Sequence, residues 1–81
     1  MDKLEKAYRK FTRDQQDIVD DIYRRLYSGD LYGLNVKKLR GYDNTYRVRK
    51  SRVRIVYSLD KNKKVTIKKI DLKDDSTYEN L

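Results

Sequence analysis

A chain of 81 residues with no cysteine, histidine, tryptophan or proline can build one small domain. It does so without disulfide staples, the usual zinc ligands or the side chain that titrates near neutral pH. Its net charge of +8 and pI of about 9.7 point toward phosphate backbones, anionic lipid or an acidic protein as partners.

The charge is unevenly placed. Residues 1–30 hold seven basic and seven acidic side chains, which cancel. Residues 31–73 hold fourteen basic and three acidic ones, and residues 74–81 add three more acids. The first part reads as an ordinary solvated helical surface, the middle as a surface that meets an anion. No stretch is apolar enough to span a membrane, and Met1 leads into Asp2 and Lys3 rather than a signal-peptide core. The expectation is a soluble, cytoplasmic protein that forms one domain over 1–81.

Leu4, Ala7, Tyr8 and Phe11 share a helical face and predict a first helix from Asp2 to Lys10. Thr12 is placed to cap a second helix, with Gln15 as its capping-box partner. That helix runs from about Arg13 to Tyr27 on the stripe Ile18, Val19, Ile22, Tyr23 and Leu26, and Gly29 suits the left-handed residue that closes it. Asp14, Asp17, Asp20 and Asp21 are read as the solvent side of this helix, because their spacing does not build a metal cage.

Beyond Gly33, "LNVKKLRG" is extended or irregular. Strands are expected at Thr45–Lys50, Arg52–Leu59 and Lys64–Leu72, with turns at Ser51-Arg52 and Asp60-Lys61-Asn62-Lys63. Val65 and Ile67 share one parity while Ile70 and Leu72 share the other, which calls for a β-bulge near Lys68-Lys69. The fold class is α+β: a helical hairpin packed on a three- to four-stranded antiparallel sheet.

In "TYRVRKSRVRIVY" the side chains of Tyr46, Val48, Val53, Ile55 and Tyr57 form a candidate core face. The turn register then places Arg49 directly opposite Arg54, with Arg47 on the same side. Like charges directly opposite each other destabilise a sheet. Long side chains covering apolar surface explain an isolated basic strand. Three arginines on one face, flanked by Lys37, Lys38 and Arg40 with no acid beside them, instead favour anion binding. The planar guanidinium fork also suits phosphate better than an ammonium does. Of eight tyrosines, Tyr8, Tyr23, Tyr46 and Tyr57 fall on core faces. Tyr78 sits in the polar tail "KDDSTYENL", either as an anchor for the C-terminus or as a group that stacks on a base or handles a proton.

Residues 11–78 resemble the RelE/ParE superfamily of toxin–antitoxin toxins. The likeness is carried by "FTRDQQDIVDDIYRRLYSGDLYGLNVKKLRG", then "YRVRKSRVRIVY", then "VTIKKIDLKDDSTY". Its most specific part is the spacing from Leu39-Arg40-Gly41 through Tyr46-Arg47-x-Arg49 to Arg54-x-x-Tyr57. The resemblance implies a RelE-like mRNA interferase: a ribosome-dependent, metal-independent endoribonuclease that cuts mRNA by 2′-OH attack on the adjacent phosphate and so inhibits translation. It implies catalytic roles for Arg47, Arg49, Arg54 and Tyr78, with Lys73 as the nearest basic residue where the family carries an arginine. Lys37, Lys38, Arg40, Lys50 and Arg52 would hold RNA. Partners would be an acidic antitoxin, the ribosome and mRNA, with no membrane, small-molecule cofactor or metal.

The chain departs from the family at three places. It opens almost directly into helix where members begin with a β-strand, so the sheet is expected to lack most or all of that strand and to need a partner over an exposed edge. It lacks the family's arginine after the last strand, where Lys73 is the nearest basic residue and Asp74-Asp75 follow, and it has Ser51-Arg52 where Gly and Asp are common in the turn. The alternatives are a non-catalytic binder in the same fold, such as a ParE-like gyrase inhibitor or a degenerate toxin, and a general binder of nucleic acid or anionic membrane.

Overall fold

Thr12 separates two helices, α1 (Lys3–Lys10) and α2 (Arg13–Ser28), in a computed structural model that describes residues 3–72. Its side chain accepts from the Gln15 backbone N–H at 3.2 Å, and the Gln15 side chain accepts from the Thr12 N–H at 2.9 Å. Two backbone donors that have no partner inside the helix are thereby satisfied, as the capping-box spacing predicts. At the other end Gly29 adopts φ 83° and returns its N–H to the Arg25 carbonyl at 2.9 Å. A Cβ is disfavoured in that conformation, so glycine ends the helix at little cost.

Four strands follow: β1 (Asn35–Lys38), β2 (Thr45–Lys50), β3 (Val53–Leu59) and β4 (Val65–Leu72). They form an antiparallel meander in the order β1-β2-β3-β4. The segment read as extended or irregular thus supplies an edge strand, in which Val36 pairs with Val48. The expected register of the β2–β3 hairpin is present, with Lys50 opposite Val53, Val48 opposite Ile55 and Tyr46 opposite Tyr57. The bulge is present too: Val56 pairs with Lys69 and Tyr57 with Ile67, which leaves Lys68 as the extra residue. In the turn before β4, one carboxylate oxygen of Asp60 accepts from the backbone N–H groups of Asn62 and Lys64, both at 2.8 Å.

The helices cover one face of the sheet. Val19, Ile22 and Leu26 of α2 are buried in one cluster with Val48, Val53, Ile55, Tyr57, Val65 and Ile70. Leu4, Ala7, Tyr8 and Phe11 pack half-buried at its margin, where α1 lies along β4. The Tyr46 and Tyr57 rings stack within this layer, centroids 5.6 Å apart. Truncating a fully buried member such as Ile55 to alanine costs about 2–5 kcal/mol, a large part of the roughly 5–15 kcal/mol that stabilises a domain. No helix among the described residues is long and apolar enough to cross a membrane.

Candidate functional site

Among the described residues, strand alternation leaves the opposite face of the sheet without a helix over it. Side chains whose backbones pair across neighbouring strands lie on the same face. Arg47 pairs with Lys37 on one side and Val56 on the other. Arg49 pairs with Asn35 and Arg54, Val56 with Lys69, and Arg54 with Asp71. One uncovered face therefore carries Lys37, Arg47, Arg49, Arg54 and Lys69, with Lys68 of the bulge beside them, against the carboxylate of Asp71, the single one among the described strand residues of that face.

That carboxylate corrects the expectation of an arginine cluster with no acid beside it. Arg54 donates from Nε and Nη2 to the two oxygens of Asp71, each at 2.8 Å. Lys69 Nζ lies 3.4 Å from the same group. Burial alone would raise the Asp71 pKa, but the hydrogen bonds and charge of Arg54, together with Lys69, hold it below the usual carboxylate value. The Arg54 pKa is raised in turn, chiefly by its hydrogen bonds to Asp71. The physical reason for the pair is the like-charge contact across the hairpin. Arg49 and Arg54 face each other, and a carboxylate on the far side of Arg54 offsets their repulsion. The parity of Ile70 and Leu72, both turned to the helices, was the sequence signal that Asp71 joins the arginines.

The remaining expected site residues divide by position. Arg47 and Arg49 are half-buried on the uncovered face, and among the described residues no carboxylate pairs with either or with Lys37. The Arg47 Nε is buried and donates to no acceptor among the described residues. Lys50 leaves the group: it shares the parity of Val48, and its Nζ binds Asp21 of α2 at 2.9 Å. Asp21 also pairs with Arg24 and Arg25, and the hydrogen bond from Lys50 is the chief reason its pKa is lowered. Lys38 is opposite Tyr46, on the helix-facing parity at the sheet rim. It and Arg40 line a concavity of about 430 Å³ around the loop that joins β1 to β2. Arg52 occupies the exposed β2–β3 turn. Lys73 and Tyr78 lie outside the described residues. Among the described residues, no group of three or more carboxylates is placed to hold a metal ion.

The uncovered face can bind an extended anion. Its cations are spread over β1, β2, β3 and β4, and a sheet fixes their spacing more rigidly than a loop would. Arg54 is partly saturated by Asp71, whereas Lys37, Arg47 and Arg49 meet no carboxylate among the described residues.

No protein-family model and no curated protein matches the chain. Among solved structures it is similar to the crystal structure of the RelB-RelE antitoxin-toxin complex from Methanococcus jannaschii, with a TM-score of 0.76 at 18% identity. The alignment covers all of this chain and 95% of that one. At that identity the likeness concerns the fold: two helices followed by a four-stranded antiparallel sheet.

Proposed function

We propose that the chain is the toxin half of a toxin–antitoxin pair and acts on ribosome-bound mRNA through the uncovered face of its sheet. The observation that carries this reading is the set of cations Lys37, Arg47 and Arg49 on that face, with which no carboxylate among the described residues pairs. It is supported by a fold shared along the whole chain with a member of a RelB-RelE complex. Charge argues for the toxin side: a net charge of +8 suits a protein that meets RNA phosphates and is neutralised by an acidic antitoxin.

In this reading Arg47 and Arg49 bind the scissile phosphate and stabilise the charge that develops as the neighbouring 2′-OH attacks it. The 5′-oxygen leaves and a cyclic phosphate forms. Lys73 and Tyr78 would complete the site as cation and proton-handling group, and the ribosome would hold the message in line. The test is inducible expression with mapping of mRNA ends on translating ribosomes. Growth arrest and cleavage are expected from the wild type and not from Arg47→Ala/Arg49→Ala. Cuts that survive the double substitution refute the site.

A second reading rests on one specific contact. Because Asp71 occupies the Nε–Nη2 edge of Arg54, the face can hold RNA without cutting it, as a non-catalytic binder in the same fold. Stable RNA binding with mRNA left intact distinguishes it.

A further inference from the structure

We infer that the uncovered face carries a nucleobase subsite beside its cations, built by Leu39, Tyr42 and Val56. The inference rests on the RNA-binding reading and adds to it a site for one unpaired base. Among the described strand residues on that face, Val56 is the lone apolar side chain. It sits directly opposite Arg47. A concavity of about 350 Å³ opens there, lined by Leu39, Tyr42, Thr45, Val56 and Lys68. The fold gathers these residues from separate places. Leu39 N–H bonds the Thr45 carbonyl at 2.9 Å and closes the β1–β2 loop over the strand ends, and the bulge of β4 contributes Lys68.

Tyr42 is the feature that core packing does not explain. It is 65% exposed at the rim of this concavity, while Tyr46 and Tyr57 are stacked in the core layer. A large ring left in water beside an apolar floor suits a planar partner. The surrounding charge states which one: Arg47 and Lys68 border the apolar patch, so the occupant is flat and apolar on its faces and anionic at its edge. An unpaired nucleotide has that chemistry, with its base against Tyr42 and Val56 and its phosphate on the cations. The volume is near the lower end of small-ligand sites, about 300–1,000 Å³, and fits one ring system rather than a longer ligand. The Nε of Arg47 agrees, since no group among the described residues accepts from it.

The experiment compares binding of a short single-stranded oligoribonucleotide with inorganic polyphosphate of matched charge, by fluorescence competition at fixed salt. Wild type, Tyr42→Ala and Tyr42→Phe are used, and circular dichroism checks that each is folded. Tyr42→Ala is expected to weaken RNA about 5- to 150-fold, the range for one lost base–aromatic stack, and to leave polyphosphate unchanged. Tyr42→Phe keeps RNA binding within about twofold of the wild type, since the ring faces are retained. If Tyr42→Ala binds RNA as the wild type does, the subsite is overturned while phosphate binding stands. Equal weakening of both ligands also overturns it, because the ring would then be acting through the cations. A wild type that binds neither ligand refutes the RNA reading itself. Loss of an acidic protein partner by Tyr42→Ala, with RNA binding unchanged, reassigns the patch to a protein interface.

Discussion

Replacing Asp71 by asparagine separates what the Arg54–Asp71 pair does for the fold from what it does to the face. Both side chains are 26% exposed, so the pair is neither a free surface contact nor a sealed core one. Exposed ion pairs contribute about 0–1 kcal/mol, and hydrogen bonds to charged groups about 1.5–3 kcal/mol. Asparagine keeps one of the two acceptors. The expected loss is therefore about 1 kcal/mol, which for a domain of this size lowers Tm by roughly 4–8 °C at neutral pH. The pH dependence has a fixed sign. The folded protein holds the Asp71 carboxyl below its ordinary value of 3.8, so the stabilisation is present above that value. It disappears as pH falls through the lower folded value, where wild type and variant converge. Removing the charge also releases Arg54 to an external phosphate. One more contact to a single strand steepens the log–log salt dependence of RNA affinity by about 0.7. Thermal melts across pH and salt-titrated RNA binding measure both effects. A folded variant with wild-type affinity and wild-type salt slope refutes the view that Asp71 competes with phosphate for Arg54.

Three further expectations concern the scaffold. Ser51 holds φ 56° at the first position of the β2–β3 turn, a left-handed conformation that disfavours a Cβ. Ser51→Gly is expected to raise unfolding free energy by about 0.5–1 kcal/mol in urea titrations, and destabilisation contradicts this. Thr12→Ala removes one half of the capping box and frees the other, for a loss of about 1 kcal/mol by the same assay. Lys50→Ala breaks the contact to Asp21 on the helix side, and RNA affinity measured by anisotropy should stay within about twofold of the wild type.

Much of this architecture is legible in the sequence, because local rules and hydrophobic parity point the same way. Thr12 with Gln15, Gly29, the Tyr46–Tyr57 pairing and the bulge at Lys68 each follow from spacing alone. What was hidden depends on three-dimensional pairing. β1 has one buried-side valine between polar residues, too short a pattern to mark a strand until Val48 is beside it. Lys50 reads as one more cation in a basic run, and only the alternation that sends it toward α2 removes it from the face. Asp71 is distant from Arg54 along the chain, and its role appears once the bulge is carried into the register. Tyr42 is legible merely as a loop aromatic. Its neighbours Val56 and Lys68 come from β3 and β4.

The claim that the uncovered sheet face holds RNA is tested most directly by two charge-matched triple variants. Lys37→Ala/Arg47→Ala/Arg49→Ala strips the face, and Lys61→Ala/Lys63→Ala/Lys64→Ala removes three exposed lysines at and beside the β3–β4 turn. In single-stranded RNA binding over a range of salt, the first should lose most of its affinity and flatten the salt slope by about 2. The second should keep a slope close to that of the wild type. Equal losses in the two variants would show that net charge alone, and not this face, attracts the RNA.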